Sequence, residues 1–191
     1  MIKEGIGKIE FKRLVAYVKA DDILREASKE NLLKTFTLLY YSGSRISELL
    51  TLKNQDIIEL LTNNELIIYT SKTHSERKLI ITPQANKEIG KLMESFNYNK
   101  EPQEAYIIKS KGNLYKAPQR VSFTTIVNRV IKECLGSRYS SHSFRIGVIT
   151  ELGLAQINPK VIQSFIGHKN ISTTLNYIRV GTDDIRDVLI R

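Results

Sequence analysis

Cysteine is almost absent from this 191-residue chain, since Cys134 is the only one. A single cysteine excludes a disulfide framework and a thiolate metal cluster, and it indicates a reducing compartment. No apolar run approaches the roughly 18 residues of a membrane-spanning helix, and the N-terminal stretch MIKEGIGKIEFKR lacks the apolar centre of a signal peptide. These absences predict a cytoplasmic or nucleoid-associated protein.

Several common chemical motifs are also missing. The sequence has no HExxH pair, no glycine-rich phosphate loop, no GxSxG elbow and no cysteine in the setting of a nucleophile. It has no internal repeat, no low-complexity tract and no RNP-like aromatic strand motif for RNA binding. A metal site is the competing use of His74, His142 and His168, but their spacing is not that of ligands, so we expect no metal and no cofactor.

Positive charge is in excess, because 29 lysines and arginines stand against 20 acidic residues and give a net charge of +9. This balance favours a polyanionic partner, of which nucleic acid is the commonest, although a basic solvated surface without a partner is the alternative. With 41% hydrophobic and 26% charged residues, the chain has an ordinary globular composition. A chain of this length can bury roughly 70% of its unfolded surface.

Residue periodicity predicts a mainly α-helical α+β fold with a small antiparallel β-sheet. The runs ELIIYTSK and RKLIIT flank the polar turn THSE and predict a hairpin over residues 65–82, with Lys72 entering the turn. The run AYIIKS (105–110) is either a third strand or an extended segment. Helices are predicted over 10–19, 31–42, about 45–52, 83–96, 118–135, 140–152 and 158–167, with a last one after Ser172 that carries Tyr177.

Apolar faces follow from the same periodicity. On the helix from Pro118 we expect the apolar side to contain Val121, Ile126, Val127, Val130 and Ile131. Near the C-terminus, Leu175 and Ile178 are expected to form the apolar seam of the last helix, which turns the Tyr177 hydroxyl toward a cleft rather than the core. Ser140 or Ser141, and later Ser172, are expected to cap helix starts.

Two arginines lie at helix starts among apolar neighbours. Arg145 points into the middle of an apolar arc, and an inward charge needs an anion, which is either a phosphate at the helix start or the carboxylate of a buried ion pair. Arg45 repeats the arrangement beside Gly43, with an Arg45–Glu48 pair as the alternative. Two guanidinium forks of this kind match the non-bridging oxygens of a phosphodiester.

Four further residues have weaker individual evidence. His142 lies three residues before Arg145 and faces the same spot, although capping or core packing is the alternative. His168, between Gly167 and Lys169, is a half-exposed turn histidine or a site residue. Tyr177 is one of nine tyrosines, most of which are expected to be packing residues. Lys72 on the hairpin is a surface lysine or a site residue, so the hypothesis depends on the whole set.

As a set, these residues resemble the catalytic domain of the tyrosine recombinases, the integrase family of site-specific DNA recombinases. The resemblance covers nearly the whole chain and is carried by YYSGSRISELLTL around Arg45, the hairpin lysine Lys72, HSFR (142–145) and IGHKNISTTLNY (166–177). Two departures stand out. Ser44 replaces a residue that is usually larger and apolar, and Ile146-Gly147 follows HSFR where the family often has His-Thr.

The resemblance implies a fold, a reaction and a role for each residue. Tyr177 would attack the scissile phosphate and form a 3′-phosphotyrosyl link, while Arg45 and Arg145 clamp the phosphate. His168 would bond a non-bridging oxygen, His142 would assist proton removal from Tyr177, and Lys72 would protonate the leaving 5′-oxygen. The helix from Pro118 offers polar side chains to a DNA groove, namely Arg120, Thr125, Asn128 and Arg129.

The resemblance also implies partners and a domain layout. Double-stranded DNA and a homotetramer assembled on it are expected, with no membrane. Residues 1–9 are expected to be a leader or linker remnant, 10–180 the catalytic domain, and 181–191 a tail that docks on a neighbouring protomer. The family's usual N-terminal DNA-binding domain is not expected within these residues, so we expect a catalytic fragment or a minimal member. A type IB topoisomerase-like enzyme and a catalytically silent DNA-binding protein are the alternatives.

Overall fold

The computed structural model describes residues 4–70 and 75–178, which form a mainly helical α+β fold with one two-stranded antiparallel sheet. The elements, in order, are α1 (Lys8–Ala20), α2 (Glu26–Ser42), α3 (Ile46–Leu49), α4 (Asn54–Asn63), β1 (Glu65–Thr70), β2 (Ser75–Ile80), α5 (Pro83–Ser95), a 3₁₀ turn (Tyr98–Lys100), α6 (Arg120–Leu135), α7 (His142–Leu154), α8 (Pro159–Ile166) and α9 (Ile171–Leu175). Across the described ranges, no helix is long and apolar enough to cross a membrane.

Helix α2 is the central element, and every residue from Leu32 to Leu39 is buried. A helix enclosed on all sides must also bury its polar positions, and Lys34 is fully buried with its Nζ 2.6 Å from Glu30 Oε1. Gly43 ends the helix in the left-handed region, with φ at +59°. Glycine adopts this conformation without steric cost, which explains why the expected stop occurs there.

Two apolar clusters stabilise the part of the chain that the structure describes. The larger one joins α1, α2, α4, α5, α6 and the sheet, with Phe36 stacked 5.9 Å from Phe144 of α7. The smaller one contains Ile149, Ile162 and Ile166, so α7 and α8 share a core of their own. This smaller cluster sets the position of the C-terminal segment that follows α8.

The predicted hairpin is confirmed, with Ile68 opposite Arg77 in the register of the two strands. Alternation puts Leu66 and Ile68 inside and leaves Ile67 and Tyr69 exposed. The segment 105–110 is extended rather than a strand of this sheet, since Tyr106 forms an isolated bridge with Lys53. Residues 71–74, which include Lys72 and His74, lie outside the described ranges.

The apolar face of α6 differs in part from the predicted one. Its buried residues are Phe123, Val127, Val130 and Ile131. At 100° per residue, Val121 falls on the opposite face and Ile126 beyond the edge of the buried stripe. They are 61% and 40% exposed, respectively, so their assignment to the apolar side was wrong.

Helix caps near the C-terminus agree with the sequence at α8 and differ at α9. Asn158 caps α8 by accepting the N–H of Lys160, and Gly167 ends that helix at φ +71°, as expected. Ser141 precedes α7 without a side-chain capping bond, and Asn170 rather than Ser172 caps α9. Asn170, one residue before the first helical residue, accepts the N–H of Ser172, so Ser172 lies within the first turn of α9 rather than before it.

Candidate active site

Arg45 stands between the end of α2 and the start of α3. Its backbone N–H donates to Glu48 Oε2 at 2.8 Å, and its Nη1 donates to Glu48 Oε1 at 2.8 Å. Its Nη2 donates to the carbonyl of Gly167 at 2.9 Å. The pair with Glu48, expected as the alternative, is therefore present, yet the Arg45 side chain remains 24% exposed toward a groove.

Arg145 lies in the first turn of α7 and is buried, as the apolar arc predicted, with 2% of its surface exposed. Its Nη1 and Nη2 donate to the carbonyls of Gly43 and Ile166, each at 2.5 Å. Within residues 4–70 and 75–178, no carboxylate lies at salt-bridge distance from it, so the alternative of a buried ion pair is not observed. Burial, with repulsion from Arg45, lowers the pKa of Arg145 to about 9, which keeps it charged at neutral pH.

Arg77 was not predicted as a site residue; it lies on β2 and is 7% exposed. Its Nη1 donates to the carbonyl of Phe165 at 2.8 Å, and its Nη2 donates to Glu48 Oε2 at 2.9 Å and to Ser44 Oγ at 3.2 Å. Strand alternation could have found it, because Arg77 shares the inward face with Leu79 and Ile81. An arginine at an inward strand position indicates a buried polar network.

The C-terminal end of α8 brings the three arginines together. The consecutive carbonyls of Phe165, Ile166 and Gly167 accept hydrogen bonds from Arg77, Arg145 and Arg45, respectively. The last carbonyls of a helix have no partner within the helix and carry its negative dipole end, so cations are favoured there. These three bonds fix the guanidinium groups relative to one another.

Glu48 is the acidic member of this cluster and is 3% exposed. Burial alone would raise its pKa, but the hydrogen bond and charge of Arg77, together with Arg45, leave that pKa below the ordinary value. Among the described residues, three guanidinium charges therefore face one carboxylate charge, and the cluster keeps a surplus of two positive charges.

A groove of about 200 Å³ collects four of the predicted site residues. Its lining includes Arg45, His142 and Arg145, together with Arg120 and Thr124 of α6. His142 and Arg145 thus face the same space, as their spacing predicted. Asn128, expected to offer its side chain to DNA, instead accepts the Ser141 N–H at 2.8 Å and holds the start of α7.

Arg129 is placed differently from Arg120. Its side chain is 61% exposed, and its Nε lies 3.9 Å from the carboxylate of Glu133 on the next turn of α6. It is not among the residues that line the groove. A contact between Arg129 and DNA stays a prediction.

His168 follows Gly167 directly and is half-buried, as expected for this turn. Its Nδ1 lies 3.0 Å from the hydroxyl of Thr174, which is fully buried. Burial, with the charges of Arg145 and Arg45, lowers the pKa of His168 to about 4. The imidazole is therefore neutral at physiological pH, and it lies close enough to both arginines to feel their charge.

Tyr177 lies two residues beyond the end of α9 and is half-buried. Its ring packs on the smaller apolar cluster, and its centroid is 6.3 Å from that of His142. It lines a separate cavity of about 760 Å³ with the N-terminal segment and Gly147, not the groove of Arg45. Leu175 is 48% exposed while Thr174 is buried, so the expected Leu175 seam was wrong, because α9 ends at Leu175 and turns it outward.

The model of the phage integrase family matches residues 6–183 of the chain. The chain belongs to the phage integrase family. It is 31% identical over 193 residues to tyrosine recombinase XerD of Rickettsia prowazekii, covering 88% of this chain and 59% of that protein. It is 28% identical over 162 residues to a putative tyrosine recombinase XerC of Pseudomonas aeruginosa, covering 81% of this chain and 37% of that protein. The chain thus spans about half the length of the curated relatives it matches.

Solved structures of an integrase and a recombinase share this fold. The Tn1549 transposon integrase, solved in complex with a circular intermediate DNA, superposes with a TM-score of 0.74 at 20% identity, covering 99% of this chain and 66% of that one. The XerA recombinase superposes with a TM-score of 0.71 at 18% identity, covering 98% and 64%. The expected tyrosine recombinase catalytic-domain fold is therefore confirmed.

The two departures from the usual phage integrase family pattern have structural reasons in this chain. Ser44 is fully buried, and its hydroxyl accepts the bond from Arg77 that a larger apolar residue could not. Gly147 lies against the N-terminal segment, where a β-carbon would come within 2.2 Å of the Ile6 carbonyl oxygen. Ile6 is buried, and α1 begins at Lys8, so part of the expected leader packs against α7.

Proposed function

We propose that this chain is the catalytic domain of a site-specific DNA recombinase or integrase that cleaves and rejoins strands through a 3′-phosphotyrosyl link on Tyr177. The observation that carries the proposal is the surplus of two positive charges that the described residues place beside a groove lined by Arg45, His142 and Arg145. A DNA phosphodiester has the charge and the acceptor oxygens that such a cluster needs. Membership of the phage integrase family, with relatives named as tyrosine recombinases, supports this function.

The scissile phosphate is held by Arg45 and Arg145 in this proposal. Both guanidinium groups are fixed without DNA, because each donates a hydrogen bond to a carbonyl at the end of α8 and Arg45 also donates to Glu48. Donors fixed in this way stabilise charge that grows in the transition state without reorganising. The buried Arg145 Nε–H has no acceptor among the described residues, and an oxygen of a bound phosphate would supply one.

Proton transfers are assigned to His142 and Lys72, and a further hydrogen bond to the phosphate is assigned to His168. The Tyr177 oxygen attacks phosphorus while the bond to the 5′-oxygen breaks, and His142, whose ring is beside Tyr177, assists removal of the phenol proton. Lys72, outside the described residues, protonates the leaving 5′-oxygen. Neutral His168, held at Nδ1 by Thr174, donates from Nε2 to a non-bridging oxygen. Because Tyr177 lines the neighbouring cavity, attack requires its hydroxyl to turn toward the groove.

Strand exchange then needs no external energy source. The phosphotyrosyl link conserves the energy of the cleaved phosphodiester, so a 5′-hydroxyl of a second strand can reverse the reaction and rejoin the DNA. The side chains assigned above supply the proton transfers in both directions, and the proposal includes neither ATP nor metal in any step.

Binding and assembly complete the proposal. Double-stranded DNA is the partner, in the cytoplasm on nucleoid or mobile-element DNA, with Arg120 and Arg129 of α6 as backbone contacts. Four copies assemble on DNA, and residues 181–191, outside the described ranges, dock on a neighbouring protomer. Deleting residues 181–191 should weaken assembly of two DNA sites, measured by gel shift, and spare cleavage. Unchanged assembly would reject the tail's role.

The function is tested by trapping protein on DNA. A library of nicked duplexes with a randomised central segment selects the site, because a nick lets the cleaved end escape and leaves the adduct. Wild-type protein and Tyr17→Phe, a change on the exposed face of α1, should form the adduct, and Tyr177→Phe should bind DNA without forming one. Recombination between two selected sites indicates a recombinase, whereas relaxation of supercoils without two sites indicates a topoisomerase. Equal behaviour of wild type and Tyr177→Phe would contradict both.

A further inference from the structure

We propose that Arg77 is a positioning residue for strand cleavage, which holds Glu48 and the end of α8 so that the Arg45 fork faces the groove. The inference rests on the proposed function, because it concerns the phosphate clamp of that same site. Arg77 itself does not line the groove. It acts through its neighbours rather than on the DNA.

The first step is the enclosure of Arg77 and the number of its partners. Its side chain is 5% exposed and donates to three acceptors: Ser44 Oγ, Glu48 Oε2 and the carbonyl of Phe165. These acceptors belong to two different parts of the fold, the start of α3 and the end of α8. A planar guanidinium can serve several such acceptors at once because its donors point in fixed directions.

Second, Arg77 is connected to the Arg45 guanidinium through shared hydrogen-bond partners. Glu48 Oε2 accepts a hydrogen bond from Arg77, and Glu48 Oε1 accepts one from Arg45. Both arginines therefore set the orientation of the carboxylate. The carbonyl of Gly167 that holds Arg45 Nη2 lies two residues after the Phe165 carbonyl that holds Arg77. Two short paths therefore connect Arg77 to the Arg45 fork.

The third step is the close packing at Gly167. A β-carbon on Gly167 would lie 3.1 Å from Arg77 Cδ and 3.8 Å from Arg45 Nη1. The backbone turn that presents His168 therefore lies directly against the Arg77 side chain. Loss of the Arg77 contacts frees this turn as well as Glu48, and both loosen the clamp.

The substitution Arg77→Lys separates the effect of charge from the effect of hydrogen-bond geometry. Arg77→Lys keeps the positive charge that Glu48 needs but has no planar fork to reach Ser44, Glu48 and Phe165 together. Arg77→Met keeps most of the volume and removes the charge as well. Lys78→Met is the matched control, since Lys78 is the next residue on β2 and its side chain is 51% exposed.

The first measurement observes the Arg45 guanidinium directly and does not depend on catalysis. In ¹⁵N NMR of the whole chain, the Arg45 side-chain signals are assigned by their loss in Arg45→Lys. We expect slow exchange of the Arg45 N–H protons with water in wild type and in Lys78→Met, and fast exchange in Arg77→Lys. Unchanged exchange in Arg77→Lys would show that Arg77 does not position Arg45.

The second measurement is the single-turnover rate of adduct formation on the selected nicked duplex, beside DNA affinity and melting temperature. Arg77→Lys should lower the rate roughly 10- to 100-fold, the scale of a small misplacement of a catalytic group, with DNA affinity nearly unchanged and the variant still folded at the assay temperature. In an Arg45→Lys background, Arg77→Lys should lower the rate of adduct formation only slightly further. An equal loss in both backgrounds, or no loss in either, overturns the proposal. If the wild-type protein forms no adduct, the proposed function is contradicted instead. In that case the water-exchange rate of the Arg45 N–H protons alone decides whether Arg77 positions Arg45.

Discussion

The carbonyl oxygen of Ile6 lies 2.2 Å from the point where a β-carbon on Gly147 would stand. The Ile6 N–H donates to the carbonyl of Ser143 at 2.9 Å, so the N-terminal segment is fastened along the first turns of α7. This helix carries His142 and Arg145, and the same segment borders the cavity that Tyr177 lines. The N-terminal segment is therefore part of the support of the site.

Replacement of Gly147 by alanine tests that support. Because the added β-carbon meets backbone, the segment must move away, and we expect Gly147→Ala to lower the free energy of unfolding by about 1–3 kcal/mol. Gly90→Ala is the control, since its nearest neighbour, Leu61 Cδ2, is 3.9 Å away. It should raise that free energy by about 0.4–1 kcal/mol. Urea denaturation measures both, and equal stabilities would show that the segment does not press on Gly147.

Glu48→Gln is expected to destabilise the protein strongly. The change leaves the buried Arg77 and the partly exposed Arg45 without a balancing carboxylate, and breaking a buried ion pair such as Arg77–Glu48 from one side costs about 3–5 kcal/mol. Glu65→Gln is the comparison, because Glu65 pairs with Lys78 on the surface and such pairs contribute about 0–1 kcal/mol. Chemical denaturation with inorganic sulfate provides a second check, since an anion should restore part of the loss in Glu48→Gln. Similar losses in the two variants would mean that the arginine cluster does not need Glu48.

Acid should destabilise the protein through His168. Its pKa is about 4 in the folded chain, against an ordinary value of 6.5. Between these values the unfolded state binds the proton and the folded state does not, so this contribution is complete above pH 6.5 and is lost as pH falls toward 4. We expect His168→Gln to flatten the fall in unfolding free energy over that window. A curve that keeps its slope in the variant would exclude His168 as the cause.

Salt dependence separates the two arginines of α6. Arg120 lines the groove, whereas Arg129 is partly neutralised by Glu133. Arg120→Ala should reduce the slope of log affinity against log salt by about 1, the value for one lost phosphate contact, and Arg129→Ala should reduce it less. Fluorescence anisotropy on duplex DNA gives the slopes. A larger reduction of the slope in Arg129→Ala would indicate that the DNA lies nearer the C-terminal half of α6 than the groove.

Much of this structure could be predicted from sequence because its determinants are local. Gly43 and Gly167 end their helices, Asn158 and Pro159 begin one, and alternation predicts the hairpin. The spacing of His142 and Arg145 placed them in one groove for the same reason. Each of these features depends on a few neighbouring residues and needs no knowledge of the tertiary packing.

The features that were missed depend on contacts between distant segments. Arg77 becomes part of the site only because β2 packs against the end of α8. Leu175 is exposed, and Tyr177 enters a cavity beside the N-terminal segment, because α9 is a single short turn. Periodicity gives no position for residues beyond such a short helix, and it cannot show which distant carbonyl an arginine will bind.

The central claim is that one tyrosine, Tyr177, attacks a phosphate held by Arg45 and Arg145. Digestion of the trapped protein–DNA adduct and mass spectrometry of the linked peptide tests it most directly. The account predicts a nucleotide on the 3′-phosphate side of the break, joined to the Tyr177 oxygen, and no adduct in Tyr177→Phe. A link to any other residue, or an adduct that persists in Tyr177→Phe, would contradict it.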